Sequence, residues 1–203
     1  MHEAELERRE LLELLVALEP DEWHRPSLCA GWTVRDVVAH VLSYEGLAWP
    51  EVASRVVRGR LTFSRMNALT LQDHRAAQPD ELLRRLRSFP RPTGLTAGLG
   101  GGIGLVDALI HQQDIRRPLR RPRPIDPERL RFALSFTVAS PPLRGFWTVR
   151  GVRVVATDVG WSYGRGPQAR GPGEAVLLSM AGRPDAAEDL DGPGADVLRR
   201  RLG

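Results

Sequence analysis

The residues best equipped for chemistry in this chain are few. There are five histidines, His2, His24, His40, His74 and His111, and a single cysteine, Cys29. His111 follows Asp107 by four residues in a segment, about Ile103 to Arg117, that is expected to be a helix. Residues four apart on a helix project from one face, a turn above one another. An imidazole and a carboxylate so placed can chelate one divalent ion, and a third ligand must then come from another helix. His40 is the candidate, being the only other histidine that faces a predicted helical core. Two histidines and one carboxylate leave coordination positions open for water or substrate, which is the ligand set of a catalytic site. By itself the spacing is weakly specific. Asp-x-x-x-His is common by chance, and a buried histidine is more often hydrogen-bonded in a core than bound to metal.

Other residues carry plainer readings. Asp114 is expected to orient a neighbour or to pair with Arg116 or Arg117 near the helix end. Asp114, Arg117 and Trp32 are also the candidates for a place behind the metal or beside a substrate, and no catalytic residue beyond the metal ligands is singled out. Trp32 reads first as a packing anchor for the loop before the second helix. Cys29 lies close to that helix's start, where the dipole lowers a thiol pKa, but a small buried hydrophobe is the simpler expectation. His24 and His74 read as loop or surface residues. Arg144 and Arg150 suit a substrate carboxylate no better than other arginines do.

These residues need elements to hold them. Leu6, Leu11, Leu14, Leu15 and Leu18 form one apolar face over residues 3 to 18, an amphipathic helix stopped by Pro20. Thr33-Val34-Arg35-Asp36 reads as a capping box with Asp in the usual Glu position. It opens a helix whose stripe is Val34, Val37, Val38, Val41 and Leu42, with His40 beside it. Further helical stretches are expected at 51–58, 66–76 and 80–89. Residues 90–102, rich in proline and glycine, break the pattern. They lack the Lys-Ser/Thr ending of a phosphate-binding loop. Helices follow at about 103–117 and 128–139.

After Pro141-Pro142 the pattern changes. Residues 151–157 alternate as a half-buried strand does, and 161–163 form a second short strand. A loop is expected at 164–173, then helices at 174–181 and 195–202. The chain is therefore expected to be mainly α, with a helical domain at 1–140 and a small α+β domain at 141–203.

Composition narrows the function classes. With 203 residues, 42% hydrophobic, the chain can bury a core without disulfides or structural zinc. One cysteine permits neither an internal disulfide nor a cysteine-based zinc finger. A charged first segment and no long apolar stretch lead to the expectation of a cytoplasmic protein without membrane contact. The sequence pI of about 10.4 reflects 29 basic residues that are all arginine, yet the net charge is only +4. The arginine pairs sit beside predicted helix ends, where cations complement the dipole. A nucleic-acid partner is therefore not expected.

Longer runs of sequence carry more than spacing does. Cys29-Ala30-Gly31-Trp32-Thr33-Val34-Arg35-Asp36-Val37-Val38-Ala39-His40 resembles the signature opening the second helix of the DinB-like, mycothiol-dependent maleylpyruvate isomerase family. Asp107 to Pro118 resembles that family's second signature. Trp161-Ser162-Tyr163-Gly164, Arg170 to Ala175 and Gly182-Arg183-Pro184 resemble pieces of its smaller domain. The resemblance implies a DinB-like up-down-down-up four-helix bundle with a small α+β C-terminal domain, as a monomer or homodimer. It implies that His40, Asp107 and His111 bind a divalent metal, zinc being the first expectation. It further implies mycothiol as co-substrate and a small electrophile as substrate, the thiolate adding to a cis double bond and leaving after rotation. Two alternatives stand beside the isomerase: a mycothiol S-transferase acting on electrophiles or xenobiotics, and a non-catalytic bundle that binds metal or another ligand. One departure is visible. The family's acid is typically Glu, whereas Asp107 is one methylene shorter.

Overall fold

The computed structural model describes residues 1–46, 54, 77–140, 143 and 145–203. Apart from residue 54, the helical stretches expected at 51–58 and 66–76 lie outside the described residues, as do His74 and Arg144. The chain divides into two compact units, Met1–Pro122 and Arg123–Gly203.

In the first unit, α1 (His2–Val16) starts with Glu3 and Glu5 in its first turn, where acids complement the helix dipole. It buries Leu11, Leu14 and Leu15. After a 3-10 turn at Glu22–His24, α2 (Val34–Leu42) begins at the expected capping box. The Asp36 N–H donates to Thr33 Oγ1 at 3.2 Å, and the Thr33 N–H donates to Asp36 Oδ2 at 2.9 Å. Asp thus does the work of the usual Glu. Thr33→Ala is expected to lower the unfolding free energy by about 1 kcal/mol, read from the urea midpoint at constant slope.

Helix α3 (Pro79–Ser88) places proline at its first position and buries Leu82 and Leu86, one turn apart. Its residues join Leu11, Leu14, Leu15, Val34, Val37, Val38, Val41, Leu42 and Ile115 in one hydrophobic core. The glycine-rich breaker forms two 3-10 turns, Gly94–Ala97 and Leu99–Gly101. They lead into α4 (Gly102–Arg116), whose N-cap Gly101 has φ of 90°, a conformation that favours glycine. Gly104 permits a close approach: a Cβ there would stand 2.8 Å from Pro92 and 2.9 Å from the Thr96 carbonyl. Helix α4 packs on α1 and α2. Buried Gln112 donates to the Glu7 carboxylate at 2.7 Å and to the Glu7 carbonyl at 3.1 Å, joining α4 to α1.

The second unit contains α5 (Pro127–Ala139), α6 (Gly145–Thr148), strands β1 (Arg153–Ala156), β2 (Trp161–Tyr163) and β3 (Gln168–Gly171), and helices α7 (Gly173–Met180), α8 (Pro184–Ala187) and α9 (Pro193–Leu202). Asp126 caps α5 by accepting from the N–H groups of Glu128 and Arg129 at 3.0 and 2.9 Å. The sheet order is β2-β1-β3, with β1 antiparallel to β2 and parallel to β3. Strand β3 lies inside the segment expected to be loop. Of its four residues only Ala169 is buried, so no apolar alternation announced it. Helix α5, which the sequence reading grouped with the bundle, packs against α7, and the division of units falls ahead of it at Pro122. The molecule is thus mainly helical, with a small three-stranded sheet in its C-terminal region. Among the described residues, no helix is long and apolar enough to cross a membrane.

Candidate metal centre

The phase of α2 is set by its cap and its valines. Val34, Val37, Val38 and Val41 enter the core, and His40 is carried inward with them, 4% exposed. On α4, Asp107, His111 and Asp114 fall at i, i+4 and i+7 and share one face. The two helices bring His40 Nε2 to 3.8 Å and His111 Nε2 to 3.6 Å from the same Asp107 oxygen, Oδ1. The two imidazole centroids are 4.8 Å apart and nearly perpendicular, at 77°. A tetrahedral ion with bonds of roughly 2.0–2.1 Å keeps its ligand atoms about 3.4 Å apart. The observed separations lie within a few tenths of an ångström of that, so these three side chains fit a divalent metal. The shorter acid reaches both imidazoles. Its side chain is 28% exposed, which leaves the cluster open on the Asp107 side.

A second layer stands behind His111. Asp114 is fully buried, and its Oδ2 lies 2.8 Å from His111 Nδ1 and 3.1 Å from Cys29 Sγ. Asp114 meets His111 from the face the two share on α4, while Arg116 donates to Gln112 at 2.9 Å and Arg117 forms the helix C-cap. Cys29, expected as a small hydrophobe, is partly buried, and its thiol takes part in this polar contact. The signal that could have found it is its place eleven residues ahead of His40 in the quoted motif, since periodicity is silent in a loop. Cys29, His111 and Asp114 also gather ligand-type atoms. The 2.8 Å between Nδ1 and Oδ2 is, however, a hydrogen-bond distance.

Trp32 does more than anchor its loop. Its ring centroid is 5.2 Å from that of His40, while Tyr44 meets the same imidazole edge-on at 5.9 Å. His2 and His24 are exposed, at the start of α1 and in the 3-10 turn, and Arg150 is exposed in the second unit.

Charge in the cluster is strongly coupled. Burial works against the imidazolium of His111, but Asp107, the bonds to Asp114 and Cys29, and the charge of Asp114 outweigh it and raise its pKa to about 10. Burial works to raise the Asp107 carboxyl, yet His111, His40 and the charge of Arg8 hold it below its ordinary value. A pH dependence follows for metal-free protein. His111 contributes stability that is fully present below its unfolded pKa near 6.5 and is lost as pH rises through about 10. Asp107 contributes stability that is present above its unfolded value of 3.8 and lost as pH falls through its lowered folded value. The Tm of chelator-treated protein is therefore expected to fall between pH 7 and pH 10, and His111→Ala to abolish that slope. An unchanged slope in the variant would remove His111 as its source.

A helical bundle whose core gathers two imidazoles and a carboxylate from two helices belongs to the class of bundles suited to a divalent ion with open positions. Residues 4–89 match the family model described as the mycothiol maleylpyruvate isomerase N-terminal domain. Over that stretch the chain is similar to the family's N-terminal domain. The match includes Cys29, Trp32 and His40 and ends before Asp107 and His111. No curated protein and no solved structure matches the chain significantly.

Proposed function

We propose that this protein is a divalent-metal-dependent, thiol-dependent enzyme of the maleylpyruvate isomerase type, with mycothiol as co-substrate. The observation that carries the reading is the convergence of His40 and His111 on one oxygen of Asp107, at 3.8 and 3.6 Å, inside a bundle of this family. Zinc suits the nitrogen-rich ligand set. A divalent ion held there supplies Lewis acidity and lowers the pKa of a thiol brought to it.

The protein's own part is to hold and shield. His40 and His111 present Nε2, Asp107 presents Oδ1, and Asp114 fixes the far side of His111. The rings of Trp32 and Tyr44 cover His40 and limit water there. The exposed flank of Asp107 is the side from which thiol and substrate enter. In the reaction a sulfur–carbon bond forms at the cis double bond, and its π electrons move onto the conjugated carbonyl as an enolate. Rotation follows about the new single bond. The enolate then re-forms the double bond as the sulfur–carbon bond breaks, returning the thiolate with no net proton transfer. The same reading places the protein in the cytoplasm, where Cys29 and small thiols stay reduced.

The test is to incubate zinc-loaded protein with mycothiol and maleylpyruvate and follow the double bond by proton NMR. The expected result is cis-to-trans conversion that needs both thiol and metal. A stable thiol adduct would instead assign a transferase, and no thiol-dependent change with either maleylpyruvate or general electrophiles would assign a binding protein.

A further inference from the structure

We infer that Asp114, backed by the Cys29 thiol, is the positioning residue that keeps His111 ready to ligate. This rests on the metal reading above and adds residues to it. The Asp114 carboxylate has no exposed surface, so its charge must be met by donors inside the protein. Two that meet it are His111 Nδ1, at 2.8 Å, and Cys29 Sγ, at 3.1 Å, both on Oδ2.

With a carboxylate at Nδ1, that nitrogen keeps its proton. The proton that a metal displaces is then the one on Nε2, the nitrogen that faces Asp107. The opposite tautomer would put N–H on Nε2 and could not bind metal through that atom. Cys29 is held where its thiol can serve. The Leu28 N–H donates to the Asp114 carbonyl at 3.0 Å, which pins the loop to α4 at that turn. Ser27 Oγ bonds the Trp32 carbonyl at 2.9 Å, and Pro26 and Thr33 form a β-bridge, closing the loop across its base. The thiol therefore approaches the carboxylate from a loop fixed at both ends, and the carboxylate approaches the imidazole from the same helix.

The experiment is zinc affinity by chelator competition, together with the visible spectrum of the cobalt(II) form, for wild type, Asp114→Asn, Cys29→Ala and Cys29→Ser. Asp114→Asn offers an amide N–H that can face Nδ1 and favour the wrong tautomer. It is expected to weaken zinc binding about 10- to 100-fold and to change the cobalt bands as His111 withdraws. Cys29→Ala removes one donor and is expected to cost about two- to tenfold, with Cys29→Ser restoring most of it through its hydroxyl. If Asp114→Asn does not fold, the Ala-against-Ser difference at Cys29 decides the matter. Wild-type affinity and spectra in both Asp114→Asn and Cys29→Ala, with binding lost in His111→Ala, would overturn the inference and leave the metal centre standing. A wild type that binds no zinc would overturn the metal reading, and this inference with it.

Discussion

Arg8→Ala is expected to lower the unfolding free energy by about 3–5 kcal/mol, enough to remove much of the roughly 5–15 kcal/mol that holds a domain folded. Arg8 on α1 and Glu45, just past the end of α2, form an ion pair with side chains 2% and 0% exposed. Arg8 also donates to the Phe89 carbonyl at 3.0 Å. Glu45 accepts from Thr96 Oγ1 at 2.6 Å and from the Thr93 N–H and hydroxyl at 2.8 Å each. The pair therefore ties α1, the end of α2, the end of α3 and the turns before α4 into one polar knot. Removing Arg8 leaves a buried carboxylate without its cation, which costs far more than an intact pair contributes over an apolar substitute. Arg8→Met combined with Glu45→Gln is expected to recover most of the loss, because the amide oxygen still accepts from Thr93 and its NH2 can donate to Thr96 Oγ1. Urea unfolding of wild type and the two variants reads this directly. A loss below about 1 kcal/mol for Arg8→Ala, the range of an exposed pair, would contradict the burial argument.

Asp107→Ala is expected to abolish thiol-dependent turnover, and added zinc is not expected to rescue it. A free thiol with a pKa near 8.5 is only about 3% thiolate at pH 7. Losing activation therefore costs about thirtyfold from ionisation alone, before any loss of orientation. Asp107 also meets both imidazoles, so its removal takes away a charge that draws an ion between them. Asp107→Glu, which restores the longer acid, is expected to keep metal and measurable turnover. Steady-state rates at saturating thiol with and without zinc distinguish the cases. Turnover in Asp107→Ala within threefold of wild type would remove Asp107 from the mechanism.

Much of this was legible because it rests on local rules. The α2 start follows from Thr33 and Asp36, whose reciprocal bonds are made within four residues. The shared face of Asp107 and His111 follows from helical periodicity, and β2 from its short aromatic run. Contacts made across the fold were not legible. Arg8 and Glu45 stand 37 residues apart, and Cys29 and Asp114 stand 85 apart. Each looks like an ordinary surface ion or a small apolar residue until packing joins it to its partner. Strand β3 escaped for a related reason. It is recruited by pairing with β1, register Val154 to Ala169, and not by any pattern of its own. The acid at 107 is one methylene shorter than the resemblance leads one to expect, and one of its oxygens stands 3.8 and 3.6 Å from the two imidazoles.

The central claim is that His40, Asp107 and His111 hold one divalent ion, and elemental mass spectrometry after zinc reloading and desalting tests it most directly. Close to one equivalent in wild type, with near-zero content in His111→Ala and Asp107→Ala, is the expected result. Wild-type protein that retains no more zinc than His111→Ala would contradict the claim and leave a bundle of the family's shape without its metal chemistry.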